Sequence, residues 1–280
     1  AQETTIKFQL DWRFEGPAAL FLVPVAKGYF KGEGLNVVVD AGNGSGGTVT
    51  RVASGAYDMG FADLAALMEL SGKWIEQAQQ RRPPDRIILD LDSSVSQTHG
   101  QQEGSAYNGY FECTCYHPLF CFNQDGDLER ALLRNGNVAS ADDWRSVLEP
   151  VVARYRLGKL KRYFRGDAGF AHPGVYEFLE VEGYLYAIRL PANAVLYREI
   201  QDLMTRPVGR PPEKPIVKYR EFTYRAASWD KTRHVVAKVE WHKDELFPRV
   251  GFIVTNRGGG AASVTWVYSG RGAAEQAIKE

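Results

Sequence analysis

The sequence predicts an α/β protein, and three observations lead to this fold class. The first 65 residues alternate strand and helix patterns, apolar strands farther along the chain end on acidic residues, and residues 218–255 alternate as antiparallel strands do. With 280 residues, 44% of them hydrophobic and 24% charged, the chain can form one large or two ordinary domains. No apolar run approaches the roughly 20 residues of a membrane-spanning helix, so we expect no membrane insertion.

Residues 1–70 are predicted to begin an open α/β sheet with a βαβαβ pattern. The predicted elements are, in order, the strand Thr5–Trp12, the helix Pro17–Phe30, the strand Leu35–Asp40, the helix Thr48–Ser54 and the strand Tyr57–Ala62. The stretch Ser45–Thr48 starts a helix after a glycine-rich loop. It either presents backbone N–H groups to an anion or serves as an ordinary turn and helix cap.

Two stretches of this segment carry a resemblance to a known family. They read LDWRFEGPAALFLVPVAKGYFKGEGLNVVV and RVASGAYDMGFADLAALMEL, and they contain the short motifs Gly28-Tyr29-Phe30 and Ser54-Gly55-x-x-Asp58. They resemble the start of the periplasmic substrate-binding proteins of ABC importers, of the sulfonate, nitrate and thiamine-precursor type. In that family the ligand lies in a cleft between two lobes. Because residues 1–70 would supply only part of one lobe, we expect no specific small-ligand binding from them.

Beyond Leu70 a second pattern predicts an α/β core in residues 71–205, a β insertion in residues 206–256 and a C-terminal helix in residues 257–280. The core is predicted to contain a helix from Ser71 to the Pro83-Pro84 break, the strand Arg86–Leu91, the hairpin Tyr107–Asn123, the helix Ala141–Tyr155, the strand Leu160–Phe164, the helix Pro173–Glu182 and the strand Tyr184–Leu190. The insertion is predicted to contain a linker, Arg206–Pro215, and the strands Lys218–Ala227, Arg233–Glu240 and Arg249–Thr255.

Two aspartates of this core each come at the end of an apolar strand. Asp92 follows Arg86–Leu91, and Asp167 follows Leu160–Phe164 after a short Arg-Gly link. An aspartate in this place is either a turn or N-cap residue or an oxygen ligand at the carboxyl edge of the sheet. Carboxylates with open water positions suit Mg²⁺ or Mn²⁺ rather than zinc. Two such ions, about 3.5–4 Å apart, promote phosphoryl transfer.

The predicted C-terminal helix carries a third acid, Glu275, together with a tyrosine and an arginine. Tyr268, Arg271 and Glu275 are spaced at i, i+3 and i+7, which places them on one helical face. A solvated helix face has the same spacing. An acid flanked by a cation and a phenol also suits a site that holds a metal ion and grips a phosphate.

Charge is unevenly distributed along a chain whose formal net charge is zero. Residues 151–249 carry 19 Lys and Arg against 12 Asp and Glu. Such a surface is either simply solvated or binds a polyanion. This region contains a basic stripe, which would follow the backbone of a bound nucleic acid if the surface binds one and consists of Arg154, Arg156, Lys159, Lys161, Arg162 and Arg165.

The three cysteines lie close together in the sequence, at Cys113, Cys115 and Cys121. An odd count argues against a disulfide framework and suits a reducing compartment. Because no second Cys or His pair has zinc-like spacing, we interpret them as buried or half-buried strand residues rather than metal ligands.

From Ser71 to Glu280 the chain resembles bacterial insertion-sequence transposases with a DDE triad and a Tyr-x2-Arg-x3-Glu-x6-Lys signature. Among the matching stretches are RYFRGDAGFAHPGVYEFLE, YAIRLPANAVL and YSGRGAAEQAIKE. The resemblance implies a ribonuclease-H-like core with an antiparallel β insertion before the last acid. It assigns Asp92, Asp167 and Glu275 as the catalytic, metal-binding carboxylates, with Asp90 as an alternative to the first. It also implies that Tyr268 and Arg271 contact DNA.

The function implied by this resemblance is metal-dependent cleavage and strand transfer of DNA in the cytoplasm. It would use two Mg²⁺ or Mn²⁺ ions, with transposon ends and target DNA as partners and a homodimer assembled on the DNA. The signature's lysine would fall at position 282, beyond the last residue, so we expect impaired activity. The two resemblances together predict a chimera joined near Glu69–Ser71. The rival function is a periplasmic receptor for a small anionic or heterocyclic ligand, which would require export.

Overall fold

The computed structural model describes residues 3–100, 102–157, 159–209, 213–243 and 245–271, apart from the side chains of residues 17, 64, 65, 67 and 68. The chain divides into two compact units, Ala1–Pro83 and Pro84–Glu280. Within the described ranges, none of the helices has the length and apolar character needed to cross a membrane.

The first unit is built on a parallel sheet of three strands in the order β2-β1-β3. Its elements are β1 (Thr4–Gln9), α1 (Ala19–Ala26), α2 (Tyr29–Gly32), β2 (Leu35–Asp40), α3 (Ser45–Ala53), β3 (Met59–Gly60) and α4 (Leu64–Arg81). The predicted alternation of strands and helices is therefore present. The predicted single helix Pro17–Phe30 is divided in two because Gly28 adopts a left-handed conformation, with φ of 72°.

Helix α4 runs through the position where the sequence pattern changes. It begins after Asp63, whose side chain accepts a hydrogen bond from the Ala66 backbone N–H at 2.8 Å, and it continues without a break to Arg81. The first compact unit ends at Pro83, where the two prolines stop the helix. The predicted junction near Glu69–Ser71 thus lies inside a continuous helix.

The start of α3 is held by hydrogen bonds within the first unit, and its N-cap residue, Gly44, has no side chain to cap the helix. The Ser45 hydroxyl donates to Asp11 Oδ2 at 3.2 Å and accepts from the Asp63 backbone N–H at 2.9 Å. Its hydrogen-bonding capacity is therefore used within the unit, next to a carboxylate that would repel an anion.

The second unit contains one large sheet of eight strands in the order β12-β13-β14-β11-β10-β4-β8-β9, and a small sheet in the order β5-β7-β6. Its elements are β4 (Arg86–Ser93), β5 (Ser96–Gln97), β6 (Ala106–Asn108), β7 (Cys113–Tyr116), β8 (Leu119–Phe122), β9 (Leu128–Leu132), α5 (Trp144–Arg154), β10 (Lys161–Gly166), α6 (Pro173–Val181), β11 (Leu185–Leu190), α7 (Ala194–Glu199), β12 (Ile216–Tyr224), β13 (Arg233–Trp241), β14 (Arg249–Thr255) and α8 (Ala261–Ser269).

The topology of the large sheet confirms the ribonuclease-H-like fold class. Strand β4 is the middle strand of the group β11-β10-β4-β8-β9, and β10 and then β11 lie parallel to it on one side. On the other side β8 is antiparallel to β4, and β9 is antiparallel to β8. Strand β14 pairs antiparallel with β11, and β13 and β12 extend the sheet as an antiparallel meander. They form the expected β insertion, which precedes the C-terminal helix α8.

One expected pairing is wrong. The stretch Tyr107–Asn123 is not a single hairpin, because β7 pairs with β5 and β6, whereas β8 pairs with β4 and β9. Pro118 lies between β7 and β8 and cannot donate a backbone hydrogen bond. The apolar strand β8 instead joins the main core.

The two faces of the large sheet are covered by different helices. Helices α5, α6 and α7 contribute to the main core with alternate residues of the strands, such as Leu89 and Phe164. On the other face, Ala261 and Val264 of α8 form a second and smaller cluster with Ala187, Val236 and Ile253 of the strands. The side of the sheet that carries α8 therefore has the less extensive cover.

The cysteines occupy strands, as expected. Cys115 and Cys121 are buried, Cys113 is half-buried, and all three are free thiols. Burial raises the pKa of the Cys121 thiol well above its usual value. A protonated, buried thiol is a packing residue rather than a nucleophile or a metal ligand.

Candidate active site

Asp92 and Asp167 meet at the carboxyl edge of the large sheet. Strands β4 and β10 are parallel, with Asp90 beside Arg165 and Leu91 beside Gly166. The same register continued by one residue places Asp92 beside Asp167. Neighbouring strands lie about 4.8 Å apart, so two residues distant in sequence become close neighbours.

The turn after β10 fixes the position of Asp167. Its side chain caps a short 3₁₀ helix by accepting the Gly169 backbone N–H at 2.8 Å through Oδ1. The absence of a side chain at Gly169 lets this turn pack close to Ser140, since a Cβ at Gly169 would lie 2.7 Å from the Ser140 side chain. One oxygen of Asp167 therefore holds the turn, and the other, Oδ2, faces Arg271.

Arg271 lies against both aspartates. Its Nη2 is 2.7 Å from Asp92 Oδ1 and 4.0 Å from Asp167 Oδ2, so the two oxygens are no farther apart than the sum of these distances. The side chains of Arg271 and Asp92 are buried, whereas that of Asp167 is 35% exposed. The site is therefore enclosed at Asp92 and accessible at Asp167.

Asp90, the alternative first carboxylate, has another partner. Both of its oxygens accept hydrogen bonds from Arg165, one of them from Nε at 2.6 Å, and both side chains are buried. The same guanidinium donates through Nη1 to the backbone carbonyl of Val267 at 3.1 Å. This ion pair attaches the last turn of α8 to the sheet, and it favours Asp92 over Asp90 as the site carboxylate.

The burial of Arg165 corrects its assignment to the basic stripe. A guanidinium that is bound to Asp90 inside the fold does not reach a DNA backbone. Arg154 also has an internal role, because it donates to the buried carboxylate of Glu129, which accepts from the Tyr155 hydroxyl as well. Burial raises the pKa of Glu129, and the charge of Arg154 opposes this rise.

The rest of the basic stripe lies at the opposite edge of the sheet from the acids. Lys161 is the first residue of β10 and Asp167 follows its last, so at about 3.3 Å per residue they are roughly 20 Å apart. Lys159 is exposed just before the strand, and Arg162 lies over the Tyr184 ring at 5.6 Å. Arg156 forms a bidentate pair with Glu182, which lowers the pKa of that carboxyl.

Within the described residues, the predicted C-terminal helix is represented by α8, Ala261–Ser269. Helix α8 ends at Ser269, and Arg271 follows in a turn in which its N–H donates to the Tyr268 carbonyl at 3.0 Å. Tyr268 is half-buried and packs on the small cluster beneath α8. Glu275, the third predicted acid, lies outside the residues that the structure describes.

Arg189 is a residue near the site that the sequence analysis missed. It is the next-to-last residue of β11, and the register between β10 and β11 continued by one residue places it beside Asp167. Its signal in the sequence is a single exposed charge near the end of an otherwise apolar strand.

The donor set at this edge fits a hard cation. Asp92 and Asp167 supply carboxylate oxygens, which Mg²⁺ and Mn²⁺ prefer, and neither a thiol nor an imidazole is part of the pair. In the part of the chain that the structure describes, no group of three or more His, Cys, Asp or Glu side chains could hold a metal ion. A third acidic ligand would have to come from elsewhere in the chain.

The chain is similar to known transposases. The family model for transposase DDE domain group 1 matches residues 38–280. No curated protein matches. A solved structure of a piggyBac transposase synaptic complex with hairpin DNA is similar over 73% of this chain, with 12% sequence identity and a TM-score of 0.45. This chain covers 42% of that chain. Because the family match begins at residue 38, within the first unit, the comparisons do not support a chimera, and they support neither a receptor nor impaired catalysis.

Proposed function

Because this chain belongs to the family of the transposase DDE domain, group 1, we propose that it cleaves and joins DNA strands with Asp92, Asp167 and Glu275 as its metal-binding carboxylates. The observation that carries the proposal is the convergence of Asp92 and Asp167 on Arg271 at one edge of the sheet. Asp92 lies in β4, Asp167 directly follows the parallel strand β10, and Arg271 lies in the turn after α8, so the fold itself assembles the group.

Each residue of the group has a role that follows from its position. Asp92 and Asp167 hold oxygen ligands on the α8 face of the sheet, and Glu275 would complete the set from the chain after Arg271. Two bound Mg²⁺ or Mn²⁺ ions would activate the attacking hydroxyl and stabilise the leaving oxygen. Arg271 would orient the phosphate with its planar guanidinium, and Tyr268, near the end of α8, would contact the DNA.

The partners of the proposed reaction are transposon ends and target DNA, bound by a homodimer in the cytoplasm. Among the residues of the basic stripe, Lys159, Lys161 and Arg162 would contact the DNA backbone away from the cleavage site, at the other edge of the sheet. Arg154 and Arg165 would support the fold instead, because their charges are used inside it.

Metal-dependent nicking of supercoiled plasmid tests this proposal. We expect the full chain to convert supercoiled into open-circular plasmid with Mn²⁺ or Mg²⁺, and not with EDTA. The Glu275→Gln variant should lose this activity, because the amide removes the negative charge of the third ligand. Glu280→Gln is the matched control from the same end of the chain and should nick at the parent rate.

Two outcomes would contradict the proposal. Nicking that persists in EDTA would mean that the activity is not carried by a metal site. Equal nicking by Glu275→Gln and the parent chain would exclude Glu275 as the third ligand.

A further inference from the structure

A pocket with several charged lining residues lies beside α8, on the side of the helix away from β4. It has a volume of about 250 Å³, and strands β11, β13 and β14 form its floor. Its polar and charged lining residues include Arg189, Lys238, Glu240, Arg249 and Tyr268. The pocket therefore shares Tyr268 with the proposed DNA-contacting pair.

Arg189 connects this pocket to the acids. Strand β11 pairs with β10 so that Ala187 lies beside Arg165 and Ile188 beside Gly166. Ala187 packs beneath α8, and side chains alternate along a strand, so Arg189 is on the α8 face too. Asp92, Asp167 and Arg189 thus form one row across three adjacent parallel strands, about 4.8 Å from strand to strand.

Arg189 differs from the other two cations of the pocket in its ion pairs. Lys238 pairs with Glu240 at 2.6 Å, and Arg249 pairs with Glu245, so the other two cations of the pocket have acidic partners. Arg189 is exposed and forms no ion pair with any acid among the described residues. An exposed guanidinium in a pocket beside two carboxylates is suited to an anion that must be held near them.

We infer that Arg189 binds a backbone phosphate of the DNA next to the phosphate on which the acids act. This inference rests on the proposed function, because it takes its ligand to be DNA. The guanidinium fork matches phosphate oxygens in a bidentate geometry, and the Tyr268 side chain lines the same pocket. Arg189 is a positioning residue, since it places the strand and does not touch the reacting atoms.

The salt dependence of DNA binding tests this inference. We would measure the affinity of the full chain for a short fluorescein-labelled duplex by anisotropy over a series of KCl concentrations. Each phosphate contact contributes about 0.9 to the slope of log affinity against log salt concentration. Arg189→Gln should lower the slope by about this amount and weaken binding roughly tenfold at low salt. Arg189→Lys should retain the slope.

The matched control is Arg198→Gln. Arg198 is also exposed but lies on α7, which packs on the opposite face of the sheet, so this change should leave the slope unaltered. An unchanged slope in Arg189→Gln, or equal losses in Arg189→Gln and Arg189→Lys, would overturn the inference. Failure of the parent chain to bind DNA would instead contradict the proposed function itself.

Discussion

Replacing Asp167 with asparagine is expected to abolish metal-dependent nicking, with a loss of at least about a thousandfold. The amide oxygen of asparagine can still accept the Gly169 backbone N–H, so the turn after β10 is preserved. The negative charge that would hold the metal ion is removed. Because a bound metal contributes several kcal/mol of transition-state stabilisation, and about 1.4 kcal/mol corresponds to a tenfold change in rate, the effect is large.

The matched control for this change is Asp125→Asn. Asp125 is an exposed aspartate in the turn between β8 and β9, at the opposite edge of the sheet from the acids. The Asp125→Asn variant should nick plasmid at the parent rate under the same Mn²⁺ conditions. Nicking by Asp167→Asn at the rate of Asp125→Asn would remove Asp167 from the site.

Replacing Asp90 with alanine is expected to destabilise the second unit by about 3–5 kcal/mol. The substitution leaves the Arg165 guanidinium buried without the carboxylate that binds two of its nitrogens. It also weakens the contact between Arg165 and the Val267 carbonyl, which attaches α8 to the sheet. The measurement is chemical denaturation followed by circular dichroism.

Two further variants separate this ion pair from a general surface effect. Asp202→Ala breaks the exposed pair with Arg220 and should cost no more than about 1 kcal/mol. Asp90→Leu combined with Arg165→Met removes both buried charges and should recover most of the loss of Asp90→Ala. A loss below about 1 kcal/mol for Asp90→Ala would contradict the burial of this pair.

The strands were the most predictable part of the fold. The bounds of β2 and β14 were predicted as observed, because each is a short, β-branched run with clear turn residues at its ends. The pairing of β7 and β8 was not predictable from local pattern, because both are strands of four residues whose sequences do not identify their partners. Partner choice depends on tertiary packing, which periodicity does not contain.

Tertiary packing also decided which residues of the candidate site could be predicted from the sequence. The end of an apolar strand marks Asp92 and Asp167, and the parallel register brings them together. The internal roles of Arg165 and Arg154 could not be predicted, because a charged residue in a sequence does not reveal its partner. Asp90 is 75 residues away from Arg165, and Glu129 is 25 residues away from Arg154. The sequence does not indicate the role proposed for Arg189, because that role depends on the residues beside Arg189 in the neighbouring strand.

Metal-directed cleavage of the polypeptide tests the central claim most directly. Fe²⁺ bound in place of Mg²⁺, with ascorbate and hydrogen peroxide, generates hydroxyl radicals that cut the chain close to the ion, and the fragments are mapped by mass spectrometry. We expect cuts near Asp92, near Asp167 and within residues 272–280, suppressed by excess Mg²⁺ and absent when both aspartates are replaced by asparagine. A pattern without cuts at Asp92 and Asp167, or one unchanged by the double substitution, would contradict a metal site at this edge of the sheet.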